Sequence, residues 1–402
     1  MKKSGLLALA AVLIVLFMFP CAGLSETPKY GGTLVVGTEA DLVQLDPHKC
    51  AAALDGAVFQ LVCNSLIEPG YDFENKPGLA ESWDVSADGK EWTFYLRKGV
   101  KFHNGREMTA EDVKFSHERI MDPQVASTIA SRFINLDRIE VVDKYTVKFI
   151  MKKPAGATLA SIGGSAVRAA IIAPECVNED GTISHPIGTG AFEWVEWKPK
   201  DYWKVKRFND YWNKGKPYLD EIIFKPLPDE MMRFNALKAG DLDIALVLPI
   251  DEAAKALKNP ERAKGVEFSM HPLGGANFIM FNCGQPPYDD VRVRQAFAYS
   301  IQRDEILLGV SQGYGHAINQ LFAPTSFWYV DVPTIPRDIE KAKALLAEAG
   351  FPDGLDVTMT ITNAYPEFPR FAQVAQQQLK EAGINVTLDV SDWASWISKV
   401  VN

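Results

Sequence analysis

The sequence predicts an α/β architecture with partly parallel sheets, and three observations carry that expectation. Helix-like and strand-like stretches alternate along the chain instead of segregating into blocks. The last part reads helix, strand, helix, strand, and ends on a clean alternation of Ile384, Val386, Leu388 and Val390 against Asn385, Thr387 and Asp389. Its 402 residues, 47% of them hydrophobic and 23% charged, suffice for two or three domains with a large core. A net charge of −9 excludes a nucleic-acid binder, which needs a basic face to neutralise phosphates. Aromatic residues at 11%, with nine Trp and 22 Phe, exclude disorder and leave rings over for a ligand cleft.

Lys2 and Lys3, the apolar run Leu6 to Phe19, and then Pro20-Cys21-Ala22-Gly23 have the basic, apolar and small regions of a secretory signal peptide. Phe19-Pro20 departs from the small residues that precede a lipid-modified cysteine, so plain cleavage between Ala22 and Glu26 is expected rather than anchoring at Cys21. No later apolar run is long enough to cross a bilayer. After cleavage Cys50, Cys63, Cys176 and Cys283 remain; they allow three pairings, and buried thiols or one optional disulfide fit the absence of any CxxC spacing.

Thr33 to Gly37 reads as a first buried strand, with a polar loop from Thr38 to Lys49 after it and then a helical spacing of Leu54, Val58, Leu61 and Val62. Trp92, Phe94 and Leu96 alternate with Thr93, Tyr95 and Arg97 as a half-buried strand. Thr109 and Asp112 match a capping box for a helix from Ala110 with Val113 and Ile120 inward. Ile139 to Met151 reads as a hairpin turning at Asp143-Lys144. Beyond Pro186 lie a Trp-rich strand region (Trp194, Trp197, Trp203, Trp212), a strand from Asp220 to Leu227, a helix capped by Asp229 and ending at Gly240, and a strand-like Asp241 to Pro249. From about Met270 a third region opens with a strand-like Asn277 to Asn282. An Asp290-capped helix comes next, with Val293, Phe297 and Ile301 on one face. A helix runs from Asp338 to about Ala349, then a strand from Val357 to Thr362, a helix from about Pro369 to Ala382, and a strand from Ile384 to Val390. Trp393, Trp396 and Val400 begin one more amphipathic helix, at whose start the chain stops, so it reads as truncated.

Catalytic motifs fail on context. Gly309-Val310-Ser311-Gln312-Gly313 matches GxSxG, but a helix precedes it where a nucleophile elbow needs a strand. Gly188-Thr189-Gly190 lacks the third glycine of a dinucleotide fingerprint. The six histidines are scattered, so no cofactor, metal site or enzyme activity is expected.

Leu79 to Gly105 (LAESWDVSADGKEWTFYLRKGVKFHNG), Met108 to Phe115, Tyr30-Gly-Gly-Thr-Leu34, Ile187 to Phe192, Asn209-Asp-Tyr-Trp212 and Pro287 to Phe297 together resemble blocks of the family 5 extracellular solute-binding proteins of ABC transporters, in the right order. The resemblance implies a two-lobed periplasmic-binding-protein fold (type II, cluster C-like) with an extra domain in the first lobe. It assigns residues 1–25 to the signal peptide, 28–68 and 186–269 to the first lobe, 69–185 to the extra domain, and 270–402 to an incomplete second lobe. It also implies a periplasmic monomer that captures a small solute, a di- or oligopeptide, and delivers it to an ABC permease. Nickel chelates, haem, sugars and opines are other ligands of the family. A secreted hydrolase or a ligand sensor on the same scaffold is the alternative.

Six residues are the ligand-binding candidates. Ligands in open α/β sheets gather beyond the carboxyl ends of strands, which puts Glu39, Asp41 and Asp46, in the loop after the first strand, at the cleft mouth facing a cationic group. By resemblance, Trp393 and Trp396 border the cleft, and Arg370, at a helix start, pairs with the ligand's carboxylate. The planar fork of a guanidinium suits that pairing.

Overall fold

A computed structural model describes residues 28–50, 53–70, 74–163, 169–259, 261, 265–269, 276–322, 324 and 329–400. The expected signal peptide, Cys21 and the start of the third region at Met270 lie outside the described residues.

The chain opens with β1 (Thr33–Thr38), whose last three residues are buried, and α1 (Ala53–Val62), with Asp55 in its first turn where the helix dipole favours an anion. It then makes an excursion through β2 (Ile67–Pro69), β3 (Asn75–Pro77), β4 (Ala80–Val85), β5 (Glu91–Leu96), α2 (Ala110–Met121), β6 (Leu136–Asp143), β7 (Thr146–Met151) and α3 (Thr158–Gly163). Strands β4-β5-β7-β6 form an antiparallel sheet. As the alternation predicts, Trp92, Phe94 and Leu96 are buried, and Phe94 meets Phe149 edge-on at 5.2 Å. Helix α2 covers this sheet, and its capping box forms: the Asp112 carboxylate accepts from Thr109 N at 2.8 Å. Asp143 pairs with Thr146, so the hairpin turns at Lys144-Tyr145, one residue later than the sequence suggests.

The chain returns as β8 (Phe192–Lys198), β9 (Tyr202–Arg207), β10 (Glu221–Pro226), α4 (Glu230–Ala239), β11 (Ile244–Ala245) and α5 (Ile250–Lys258). These strands join β1 in a five-stranded sheet of order β11-β1-β10-β9-β8, with β1 parallel to both β10 and β11. Only two residues of the expected strand Asp241–Pro249 enter the sheet, because Val247 turns left-handed at φ 50°. Trp203 is fully buried and stacks on Phe224 at 3.6 Å, with Trp194 parallel to it at 6.2 Å, so these rings fill the core instead of a cleft. Gly188 and Gly190 run against the end of α1: a Cβ on either would lie 2.2 or 2.3 Å from a carbonyl oxygen, of Val62 or Leu61. The Gly-Thr-Gly motif is a close backbone crossing.

A third core is built from α6 (Val291–Ser300), α7 (Arg303–Ser311), α8 (Ile339–Glu348), β12 (Leu355–Thr362), α9 (Glu367–Glu381), β13 (Ile384–Ser391) and α10 (Trp393–Val400). Strands β12 and β13 pair in parallel, connected through α9. Val293, Phe297 and Ile301 are buried together as predicted. Helix α9 starts two residues early because Pro369 fits within a first turn, where no intrahelical N–H is needed. Asn277–Asn282 is not a strand; Ile279 and Phe281 pack on the core, while Phe278 and Met280 are exposed and no ladder partner lies alongside among the described residues. Cys50, Cys63 and Cys176 are buried thiols and Cys283 is exposed, with no disulfide among them.

Candidate functional site

All three parallel strands of the first sheet end on one side, and the loops that leave them there are held in place. The buried Arg233 of α4, 2% exposed, donates to the carbonyls of Leu227 and Pro228 after β10 and of Leu246 and Val247 after β11. Burial lowers the pKa of its guanidinium, and Glu39 acts against that shift. The loop after β1 is pinned at several points. Asp41 accepts from Trp197 Nε1 at 2.9 Å and Lys200 N at 2.7 Å. Asp46 grips Arg119 of α2 at 3.0 and 2.6 Å and accepts from His48 N. Ser127 Oγ and Thr128 Oγ1 donate to the carbonyls of His48 and Cys50.

Asp41 and Asp46, two of the expected ligand-binding acids, use their carboxylates to hold this loop in place. Glu39 differs: its Oε2 is buried without a hydrogen-bond partner among the described residues.

The parallel pair β12–β13 also ends in a common place, and its carboxyl edge carries aromatic rings. Tyr365 and Phe368 come after β12, and their rings meet edge-on at 5.5 Å. Trp393 comes after β13 and stands edge-on to Tyr365 at 5.5 Å. Trp393 and Trp396 stack at 5.3 Å and 19°, and Trp396 Nε1 donates to Thr360 O at 3.3 Å. Three-residue spacing on one helix face explains the stack. The Tyr365 phenol is pushed up, first by burial and then by the charges of Glu39, Glu367 and Asp55. The loop after β1 and the loop after β12, each at the carboxyl end of a parallel strand system, therefore lie within electrostatic reach of each other. Ser391 Oγ, at the end of β13, is a second buried polar atom without a partner among the described residues.

Arg370 projects from the first turns of α9 toward α4 and α5, with Glu230 at 3.7 Å and Asp251 at 3.9 Å; Gln312, just after α7, donates to Asp251 at 2.9 Å. Both carboxylates stand beyond hydrogen-bonding distance of the guanidinium, so the geometry leaves Arg370 able to exchange them for another anion. Sequence reasoning missed Tyr365, Asp55 and Arg233. Tyr365 lies between a strand and a helix, where the strand-end rule used for Glu39 would have found it; no periodicity marks Arg233 as buried. Ser311 of the GxSxG match spends its hydroxyl on the carbonyls of Leu307 and Tyr314 at a helix end, which is no nucleophile elbow. Among the described residues no three His, Cys, Asp or Glu side chains are grouped to hold a metal, and no helix is long and apolar enough to cross a membrane.

The chain matches known proteins over nearly this whole framework. Residues 74–402 match the model of the bacterial extracellular solute-binding proteins, family 5 Middle. The glutathione-binding protein GsiB of Salmonella paratyphi A is 32% identical over 361 residues, 89% of this chain and 69% of that protein. The periplasmic binding protein AgaA of A. tumefaciens R10, solved with agropinic acid, is 33% identical, with a TM-score of 0.78 over 92% of this chain and 74% of its own. DppA of Helicobacter pylori, an ABC transporter-associated periplasmic binding protein solved with the peptide STSA, is 27% identical, with a TM-score of 0.81 over 92% of this chain and 76% of its own. The chain belongs to the bacterial extracellular solute-binding proteins of family 5, which are binding components of transporters and not enzymes.

Proposed function

We propose that this chain is the solute-binding component of an ABC importer and captures a di- or oligopeptide between its two lobes. The observation that carries this reading is the pair of parallel strand systems, whose carboxyl ends carry the Glu39 carboxylate in the first and a cluster of aromatic rings in the second, with Arg370 reaching from the second toward the first. Apolar rings with a few convergent polar groups are what a small-ligand site needs. GsiB is named for glutathione and DppA was solved with a peptide, which supports a peptide ligand.

In this reading residues 28–68 and 186–269 form the first lobe, 69–185 its extra domain and 270–402 the second lobe. Residues 1–25 direct export to the periplasm, and the monomer hands its ligand to a membrane permease. Arg370 takes the ligand's carboxylate in exchange for Glu230 and Asp251, and Trp393 and Trp396 pack on the peptide. Mass spectrometry of ligand co-purified with the full-length protein tests this, with tryptophan fluorescence recorded during peptide titration of the stripped protein. Peptide in the eluate and a fluorescence change on titration are expected. A non-peptide ligand, with no fluorescence response to any peptide, would overturn it.

A further inference from the structure

Three polar contacts join α4 and α5 to α7 and α9 at one place. Gln312 Nε2, at the end of α7, donates to Asp251 Oδ1 at 2.9 Å, and Arg370 of α9 stands 3.7 Å from Glu230 and 3.9 Å from Asp251. The helices on each side are anchored in their own units. Arg233 fastens α4 to the loops after β10 and β11. Gln378 of α9 accepts from Gln302 N at 2.9 Å and donates to Glu305 of α7 at 2.8 Å. A movement of one unit against the other must therefore make or break the contacts together.

Gln312 sits in a strained position. It caps α7 in the left-handed region at φ 56° and ψ 25°, where glycine is the ordinary residue. Gly313 follows it at φ 85°, so the chain uses glycine one position later but not here. From that conformation the Gln312 amide reaches across to Asp251. The charged partners suit a contact that opens and closes. Glu230 and Asp251 lie in the first turns of α4 and α5, whose dipoles stabilise an acid even without a partner. Arg370 lies near the N-terminus of α9, where the dipole disfavours a cation and an anion is drawn in. The side chains of Arg370, Glu230 and Asp251 are 32, 24 and 47% exposed, so each pair is weak and water can replace it.

We propose that Gln312 and Arg370 on one lobe, with Glu230 and Asp251 on the other, form a latch that sets how much of the ligand-free protein has its lobes together. The proposal rests on the two-lobed solute-binding reading above and adds a control on its resting state. A latch worth a few surface contacts decides little for folding, yet it shifts two nearly balanced conformations severalfold.

The test needs no ligand. In full-length protein, spin labels on the exposed native Cys283 and on Lys238→Cys of α4 report the distance between the two units by pulsed dipolar spectroscopy. Wild type should show a short-distance population that falls about threefold or more, relative to the long one, in Glu230→Ala/Asp251→Ala. Gln312→Gly is the sharper variant. It relieves the left-handed strain, so its melting temperature should hold or rise while the short-distance population falls about twofold. A residue that merely ends a helix would leave the distance unmoved. Should the double variant not fold, salt decides on wild type: raising sodium chloride from about 20 to about 500 mM should shift the population to the long distance. An unchanged distance in either variant, a wild type without the short-distance population, or no response to salt would overturn the latch. Peptide titration is read separately. Peptide binding with an unresponsive distance removes the latch and keeps the peptide reading; a responsive distance with no peptide bound keeps the latch and removes the peptide reading.

Discussion

Replacing Arg119 by Met tests whether the loop after β1 is held from beneath. The guanidinium and the Asp46 carboxylate are each 6% exposed in their side chains. Arg119 also donates to His48 Nδ1 at 3.0 Å and to Gly181 O. Methionine keeps much of the stem volume but strands a buried carboxylate and an imidazole nitrogen. Removing one member of such a buried pair costs about 3–5 kcal/mol, expected as a lower urea midpoint of the first unfolding transition. The loss should have a recognisable pH dependence. In wild type His48 is held down to about 4, by burial first and with Arg119 contributing. Without Arg119 the imidazole can charge and pair with Asp46, so the deficit should shrink as pH falls from about 7 to about 5. Asp46→Asn and the double variant complete a cycle, with a coupling of about 2 kcal/mol or more expected. A cost below about 1 kcal/mol for Arg119→Met, or a deficit that grows at low pH, would refute the reasoning.

The same geometry has other measurable outcomes. Burial depresses His48, His103 and His117 to about 4, below the unfolded value of 6.5. The unfolded chain then binds more protons between those values, so stability is full above about pH 6.5 and falls through that window, by up to about 3 kcal/mol for each of the fully buried His48 and His117; urea midpoints at pH 7 and 5 check this. Gly188→Ala places a methyl 2.2 Å from Val62 O, a backbone atom, and should lower stability by about 1–3 kcal/mol in thermal melts. Arg370→Ala should cost about 2–5 kcal/mol in affinity for a free-carboxylate peptide and almost nothing for its C-terminal amide, measured by calorimetry; equal losses would leave it an interhelical partner of Glu230 and Asp251.

Local signals were legible wherever the chemistry is local. The capping box of Thr109 and Asp112, the alternation of Trp92, Phe94 and Leu96, and the inward face of Val293 and Phe297 each depend on neighbours within one element. What escaped depends on residues far apart. Arg119 claims Asp46 from 73 positions away and Trp197 claims Asp41 from 156, and no spacing in the loop distinguishes these acids from Glu39. Tryptophans misled in the same manner. Trp194 and Trp203 look surplus in composition, yet one packed sheet consumes both, which leaves Trp393 and Trp396 to face the cleft in our reading. Asp241–Pro249 read as a strand because apolarity does not reveal the left-handed turn at Val247.

The place where the excursion leaves and rejoins the first sheet bears on the order of folding. Thr33 pairs with Glu221, and Gly32 N bonds Asp220 188 residues away, so the first strand made must wait for one of the last in its sheet. Closing so long a loop of free chain costs about 5 kcal/mol in entropy. The excursion contains its own sheet, in which β4–β5 and β6–β7 pair neighbouring strands, and such local pairing forms early. Its two ends then meet: Ile171 N bonds Asn64 O at 3.0 Å, and Gly190 N bonds Val62 O at 2.9 Å. Once that unit has formed, it acts as a clip that delivers β8, β9 and β10 to the waiting β1. A chain threaded across a membrane unfolded would thereby assemble its five-stranded sheet around an excursion already folded.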